Sequence, residues 1–299
     1  MITRRVFCVF DLAWSPDGGR VVIGGTGKTV RILDAATLAT NLVCRGGAAM
    51  TSKVTWSPDA RFIAAASADN AVHVWHADGA PAITLPLRLA HAVAWSPGGE
   101  LLAASSYHKT IDLWETRTWM RVHHISGGAA ALAWSPDGRY LAAGHPGEVS
   151  ILDVETGRAE QRLACRALKY ALALAWSPDG GRLAVGGNNP EAVEVWNVLS
   201  PECIDAPHVT YRGHTSYIWS VAWAPDGRCI ASASWGQVHL WDSTTGCLLA
   251  THSSHKENVY CVAWSPDGTR LASGGRDRTI QIWSVNEAIS CAGASLGRH

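Results

Sequence analysis

Phosphate binding is the first chemistry that the residue pattern of this chain suggests. Residues 24–29 read Gly-Gly-Thr-Gly-Lys-Thr, which is similar to the end of a loop whose backbone N–H groups and lysine hold phosphates. That motif requires a glycine five residues before Gly27, but the chain has Val22 there. A strand is also predicted after the loop, where the motif needs a helix. The pattern therefore does not predict a nucleotide site.

Histidine and serine residues are the other candidates for metal or nucleophile chemistry. His252 and His255 lie three residues apart, and His123 and His124 are adjacent. Neither pair has cysteine or carboxylate ligands nearby at the spacing of a zinc site. The chain has no Gly-x-Ser-x-Gly sequence, so a serine hydrolase has no support. We therefore predict no catalytic residue, no metal and no cofactor, and we do not expect an enzyme.

Large aromatic side chains are the remaining group, and their chemistry is that of binding. The chain contains 15 Trp against three Phe, and aromatic side chains are common anchors at the centres of interfaces. Twelve Trp recur at equivalent repeat positions, seven at the end of a first strand and five at the end of a third, and these are predicted to pack between repeats. Trp119, Trp219 and Trp235 lie outside that register.

The elements that must position these side chains are repeats of one unit. The pentapeptide Trp-Ser-Pro-Asp-Gly, or a one-letter departure from it, occurs seven times. Its copies begin at Trp14, Trp56, Trp95, Trp134, Trp176, Trp223 and Trp264. The spacings of 39 to 47 residues match the period of repeats that each form one four-stranded blade of a propeller.

The seventh unit illustrates the predicted blade. Residues 259–264 form a strand rich in β-formers, and Ser-Pro-Asp-Gly at 265–268 turns the chain into a second strand at 270–274. A third strand follows at 279–283. A weaker outer strand is illustrated by 247–251 of the sixth unit. One such sheet cannot bury both faces alone, so the units are expected to stack radially.

The predicted fold is therefore all-β, a seven-bladed β-propeller with four antiparallel strands per blade. The array fills residues 1–299 as a single domain. Its blades are expected at about 1–47, 48–89, 90–128, 129–169, 170–214, 215–255 and 256–299.

These residues resemble the WD-repeat family of β-propellers along the whole chain. The terminal Trp-Asp pair of that family is intact only as Trp241-Asp242. The resemblance implies a buried hydrogen-bond network of His, Ser or Thr, Asp and Trp, which the seventh unit matches with His255, Ser273, Asp277 and Trp283. The sixth unit keeps the equivalent His214, Ser232 and Trp241 without the Asp. The second keeps Asp69 and Trp75 without the His.

The resemblance also implies a binding face, because partners of such propellers commonly dock where the loops before the first strands surround the central channel. The position four residues before each repeat Trp is Phe10, Ser52, His91, Ala130, Leu172, Trp219 and Tyr260. The position six residues before it is Cys8, Met50, Leu89, Gly128, Tyr170, Tyr217 and Asn258. Large aromatic residues therefore gather on units five, six, seven and one, which we call the aromatic arc.

The partner-binding residues predicted on this face include the arc and three of its neighbours. Trp235 and Arg276 are expected to border the arc, and Tyr107 to lie across the channel. The complete set is Phe10, His91, Tyr107, Tyr170, Tyr217, Trp219, Trp235, Tyr260 and Arg276. The alternative is that these side chains only plug the channel mouth.

Composition narrows the kind of partner. The chain has 25 Lys and Arg against 25 Asp and Glu, with a pI of 7.2, so we expect neither nucleic acid nor a membrane as its partner. Eight cysteines without a Cys-x-x-Cys spacing indicate reduced thiols and a cytoplasmic protein. The favoured function is a non-catalytic scaffold that binds a protein or peptide. The alternatives are a sensor or autoinhibitory module of a larger signalling assembly, and an enzyme with its site at the channel mouth.

Ring closure is the last expectation. Only thirteen residues precede Trp14, while 286–295 continue past Trp283 where a fourth strand belongs. We therefore expect the ring to close by packing of blade one against blade seven, with 286–295 as the outer strand. The alternative is that Ile2–Val6 supplies an edge strand.

Overall fold

The turns of the repeated pentapeptide are held by their own side chains in the computed structural model, which describes residues 1–47, 49–107, 109–165, 168–188, 192–199 and 206–289. In the seventh unit, Ser265 Oγ donates to Asp267 Oδ1 at 2.5 Å, and Arg270 N donates to Ser265 Oγ at 2.9 Å. Gly268 provides the positive φ of +69°. Hydrogen bonds from Ser265, and then from the backbone and side chain of Thr269, lower the pKa of Asp267 to about 2. Each such turn therefore fixes a hairpin.

The first three sheets follow in chain order. Blade one contains β2 (Val9–Trp14), β3 (Arg20–Gly25), β4 (Val30–Asp34) and β5 (Thr40–Cys44); blade two contains β6 (Thr51–Trp56), β7 (Phe62–Ser67), β8 (Ala71–His76) and β9 (Pro81–Pro86); blade three contains β10 (Ala90–Trp95), β11 (Leu101–Ser106), β12 (Thr110–Glu115) and β13 (Arg121–Ser126).

Blades four to six repeat the same order. Blade four contains β14 (Ala131–Trp134), β15 (Tyr140–His145), β16 (Glu148–Asp153) and β17 (Ala159–Leu163); blade five contains β18 (Tyr170–Trp176), β19 (Arg182–Asn188), β20 (Val193–Asn197) and β21 (Val209–Tyr211); blade six contains β22 (Ser220–Trp223), β23 (Cys229–Ala233), β24 (Val238–Asp242) and β25 (Leu248–His252).

Blade seven differs in the origin of its outer strand. It contains β26 (Val259–Trp264), β27 (Arg270–Gly275), β28 (Thr279–Ser284) and, on the outside, β1 (Ile2–Arg5). The seven antiparallel sheets confirm the predicted all-β, seven-bladed propeller with four strands per blade. No helix in the described part of the chain is long and apolar enough to span a membrane.

The core of the propeller lies between the blades. Seven hydrophobic clusters each combine residues of two neighbouring blades, and the cluster that joins blade one to blade seven completes the ring. The Trp that ends each first strand lies at these interfaces. For example, Trp14 Nε1 donates to Ala263 O at 3.0 Å, and the guanidinium of Arg270 lies 4.7 Å from the Trp14 ring centroid. Hydrogen bonding and cation–π contact therefore add to apolar burial.

The prediction for ring closure was wrong. Ile2 is paired with Ile282, and Arg5 with Thr279, in an antiparallel ladder. The first residues of the range predicted as blade one, 1–47, therefore form the edge of blade seven. Residues 285–289 are helical, and 290–295 lie outside the described residues. The physical reason is that β28 has an open edge, and the alternation in β1 suits it: Ile2 packs on the core while Arg5 is exposed.

Deletion of residues 1–6 should lower the melting temperature strongly. It removes the β1–β28 ladder and uncovers apolar surface of blade seven. A loss of about 3–4 kcal/mol would lower the melting temperature by about 5–6 °C in a chain of 299 residues. Circular dichroism melting would measure the shift.

A matched control separates the loss of this strand from a change of sequence alone. Thr3→Ala with Arg5→Ala alters two exposed positions of β1 and keeps the ladder, so its melting temperature should stay close to that of the wild type. If the deletion variant melted like this control, β1 would not be what closes the ring.

Candidate functional site

A β-bulge positions the side chains at the channel mouth. The pairing of the first strand with the second shifts register at Phe10, Ser52, His91, Leu172 and Tyr260. A bulge leaves one residue unpaired and redirects its side chain. In blades four and six the equivalent Ala130 and Trp219 lie immediately before the first strand.

These seven equivalent residues line one pocket. Its volume is about 420 Å³, and Lys53 and Tyr107 complete the lining. Pockets that bind small molecules have about 300–1,000 Å³. The register therefore places one side chain from every blade around a single apolar opening, which we call the mouth pocket.

The aromatic rings of the mouth pocket contact one another edge to face. Tyr260 lies between Phe10 and Trp219, with centroid distances of 5.6 and 5.2 Å and interplanar angles of 68° and 90°. Across the pocket, His91 and Tyr107 are 5.0 Å apart at 76°. Such contacts stabilise each pair by about 0.5–1.5 kcal/mol beyond the area buried. The rings of blades six, seven and one therefore support one another as a continuous wall.

Four of the predicted binding residues lie on this face outside the mouth pocket. Tyr217 contacts Trp219 edge to face at 6.0 Å and is 48% exposed, and Trp235 is 54% exposed. The ring of Tyr170 lies 6.0 Å from the Lys169 ammonium. Arg276 pairs with Glu257 at 3.1 Å in a neighbouring groove of about 640 Å³. The structure therefore brings five of the nine residues together and leaves four around them.

Aliphatic residues extend this surface beyond the aromatic arc. Met50 and Leu89 are each 48% exposed and occupy in blades two and three the position that Tyr217 occupies in blade six. The predicted partner-binding residues did not include these two. The sequence signal was their alignment with Tyr217, six residues before the repeat Trp. The exposed apolar rim therefore continues around more of the ring than the aromatic residues alone indicate.

An ion pair lies where the channel walls otherwise carry small side chains. Lys53 Nζ is 3.1 Å from Asp11 Oδ1, and Val54 N donates to Asp11 Oδ2 at 2.9 Å. Burial raises the pKa of Asp11. Burial also opposes the charge of Lys53, but the Asp11 carboxylate outweighs it and raises the pKa of that ammonium.

Sequence reasoning missed this pair, although a signal existed. The position three residues before each repeat Trp is Asp11, Lys53, Ala92, Ala131, Ala173, Ser220 and Cys261. A charged residue in two neighbouring units, where the other five have small residues, indicates a contact between blades. The ion pair therefore ties blade one to blade two beside the mouth pocket.

Charge is distributed unevenly between the two faces. Among the described residues, the loops around the mouth pocket carry nine exposed cations: Lys28, Arg45, Arg88, Lys109, Lys169, Arg212, Lys256, Arg276 and Arg278. The same loops carry three carboxylates, Asp69, Glu257 and Asp277. The described loops of the opposite face carry nine carboxylates and five arginines: Asp17, Asp59, Asp78, Glu100, Asp137, Glu155, Asp179, Asp226, Asp267, Arg61, Arg117, Arg139, Arg158 and Arg228. The balanced total charge therefore conceals a basic face.

Three of the four predicted network residues of blade seven are joined. His255 Nε2 is 2.9 Å from Ser273 Oγ, and His255 Nδ1 is 2.9 Å from Asp277 Oδ2. The Trp283 indole N–H has no hydrogen-bond partner in the described part of the chain. Its ring instead stacks on His252 at 4.4 Å. The network therefore ends at Ser273.

Blades six and two replace the missing network members. In blade six, Ser232 Oγ is 2.7 Å from His214 Nε2 and accepts from Trp241 Nε1 at 3.1 Å, while His239 stacks on His214 at 4.0 Å. In blade two, Asp69 Oδ2 is 2.9 Å from Nε2 of His73, which comes from the third strand. His73 was not predicted, because the network histidine of blade seven, His255, lies before the first strand of its blade whereas His73 lies in a third strand.

The structure also gives the positions of the glycine-rich segment, of one histidine from each histidine pair and of Trp119. Residues 26–29 form a β3–β4 hairpin loop, so no helix follows. His252 contacts Gln281 at 2.8 Å, and His124 contacts Asp112 at 2.5 Å. Trp119 lies on the opposite face, edge-on to Phe62 and Trp95. The described residues contain no group of three His, Cys, Asp or Glu side chains arranged to hold a metal.

Comparison with known families agrees with this architecture. A closed ring of four-stranded antiparallel blades defines the molecule as a β-propeller. Residues 5–34, 47–76, 206–242 and 246–284 match the family described as WD domain, G-beta repeat. Residues 93–171 match the Anaphase-promoting complex subunit 4 WD40 domain. The chain belongs to the WD-repeat β-propeller family; a search of curated proteins gives no match.

Acid should destabilise the protein partly through His214. Burial, and then the neighbouring His239, lower the pKa of His214 to about 3 from an ordinary value of 6.5. The unfolded chain therefore binds a proton below pH 6.5 that the folded chain does not bind, and stability falls as the pH drops toward 3. In that window one such group costs up to about 1.4 kcal/mol per pH unit.

Thermal melting between pH 7 and pH 4 would measure this contribution. His214→Gln should lose less melting temperature on acidification than the wild type, whereas His76→Gln, at an exposed position, should follow the wild type. Equal pH dependence in all three proteins would show that His214 is not buried in its neutral form.

Proposed function

We propose that the chain is a non-catalytic scaffold that binds a protein or peptide on the face where the mouth pocket opens. The observation that carries this proposal is the convergence of one side chain from every blade on a single apolar pocket, beside exposed apolar residues. Proteins of this family commonly serve as interaction scaffolds and are typically non-catalytic. Phe10, His91, Tyr107, Trp219 and Tyr260 would contact the anchor of the partner.

The remaining predicted residues would contact the partner around that anchor. Tyr217 and Trp235 are large, exposed and rigid, which suits them to bury area with little loss of side-chain entropy. Tyr170 and Arg276 lie nearer the rim. An enzymatic site has less support, because the mouth pocket combines aromatic groups and a paired lysine with no activated nucleophile.

A second candidate is a module of a larger assembly, such as a sensor or autoinhibitory element. The match to the WD40 domain of a subunit of the anaphase-promoting complex supports this kind of role. We place the protein in the cytoplasm, in keeping with six free cysteines among the described residues. On this proposal the native protein should elute from gel filtration of a host lysate well above its own mass of 31.9 kDa. Elution at that mass would contradict the assembly.

Partner capture from a lysate of the native host tests the scaffold directly. The variant Trp219→Ala with Tyr260→Ala removes the central wall of the mouth pocket and should lose the partner that the wild type holds. Both side chains are only partly buried, so the variant should melt at most about 6 °C lower. Mass spectrometry of the captured proteins and circular dichroism melting give the two readouts.

The matched control is Val122→Ala with Leu248→Ala, which removes two exposed apolar side chains from outer strands. It should capture the same partner as the wild type. Equal capture by all three proteins would move the binding site away from the mouth pocket. A much larger loss of melting temperature in the pocket variant would instead assign Trp219 and Tyr260 to the core.

A further inference from the structure

We propose that the partner presents an acidic segment, in which one apolar or aromatic side chain enters the mouth pocket and flanking Asp or Glu residues contact the basic loops around it. This inference rests on the proposed scaffold function and adds the chemical class of its partner. Two separate observations support it: the distribution of charge between the faces and the composition of the pocket.

The charge around the pocket is suited to an acidic segment. Nine exposed cations and three carboxylates occupy the described loops of this face. Each of these carboxylates already has a protein partner: Asp69 contacts His73, Asp277 contacts His255, and Glu257 pairs with Arg276. Within the described residues, Arg276 is the only one of the nine cations that forms an ion pair. With nine cations against three carboxylates on these loops, an acidic segment would meet a surface of net positive charge, which speeds association and fixes orientation.

The cations lie on most sides of the opening. Arg88 precedes Leu89 in blade three, Lys109 follows the Tyr107 loop, and Lys169 precedes Tyr170 in blade five. Arg276 and Arg278 lie in the loop between β27 and β28 of blade seven. A segment that crosses the pocket in either direction therefore has cations near both of its ends.

The pocket itself favours an uncharged anchor. Aromatic rings that bind a cation would need to be free of competing positive charge, but Lys53 lines this pocket with its side chain 31% exposed. The Asp11 carboxylate is largely buried beneath Lys53 and does not line the pocket. A Lys or Arg anchor is thereby disfavoured, and an apolar or aromatic anchor fits.

The same cations could attract nucleic acid, but the aromatic geometry favours a peptide. Single-stranded nucleic acids stack successive bases on exposed ring faces. Here the rings of Phe10, Tyr260 and Trp219 are packed edge to face against one another. They form the wall of one pocket, and these three rings offer no row of parallel faces. One buried anchor with charged flanks is the pattern of a peptide segment.

Selection from a random-peptide phage library on the immobilised full chain tests the inference. The best peptide would then be synthesised and its Kd measured by fluorescence anisotropy at low and high salt. We expect enrichment of Asp and Glu on both sides of a Leu, Phe or Trp, and binding that weakens as salt increases.

Two triple variants with the same change of net charge separate the basic face from the total charge. Arg88→Glu, Lys109→Glu and Lys169→Glu reverse three cations around the pocket, whereas Arg117→Glu, Arg158→Glu and Arg228→Glu reverse three on the opposite face. All six residues are exposed, so both proteins should fold. We expect the first to bind the peptide about tenfold or more weakly and the second within about twofold of the wild type.

The other outcomes separate a failure of this inference from a failure of the scaffold proposal. Peptides that need Trp219 and Tyr260 but carry no acidic bias would overturn this inference and leave the scaffold in place. Peptides that ignore both the pocket and the charges, or no selected peptide at all, would count against both. Poly(U) RNA that binds more tightly than the best peptide and displaces it would assign the basic face to nucleic acid.

Discussion

Closure of the ring by β1 is the constraint on which the rest of the structure depends. The pairing of Ile2 with Ile282 holds the outer edge of blade seven, and this blade packs on blade one through a shared apolar cluster. Only in a closed ring do seven first strands begin around the same axis. Phe10 of blade one and Tyr260 of blade seven, which contact each other in the mouth pocket, meet across this closure. The wall of the mouth pocket therefore includes the seam of the fold.

The sequence predicted the fold well because its strongest signals are local. Each Ser-Pro-Asp-Gly turn fixes its own hairpin, and the repeat Trp marks the end of the first strand. The same register correctly grouped the seven residues that line the mouth pocket. The prediction from sequence failed at β1, because its four residues include two arginines and give only a weak strand pattern. Their pairing is decided by the open edge of β28, which no local pattern reveals.

The finer features of the site depend on contacts between distant segments. The β-bulge at Phe10 and its equivalents, the Lys53–Asp11 pair and the substitution of His73 for a missing loop histidine all arise from neighbouring strands or blades. The basic face was hidden for another reason. Charge was summed over the chain, whereas the propeller separates loops at the two ends of its strands onto opposite faces. Composition therefore gave the correct net charge but no information about how the charge is distributed between the two faces.

The pairing of β1 with β28 also has a consequence for biosynthesis. Ile2 and Ile282 are separated by 280 positions in the chain, so β1 is synthesised before every other strand of the propeller and waits for its partner until nearly all of the propeller has been made. Until then the apolar sides of the first and last blades stay uncovered and open to wrong pairing. Shielding of the nascent chain, for example by a chaperone, would be most important in this interval, which ends only when β28 has been made.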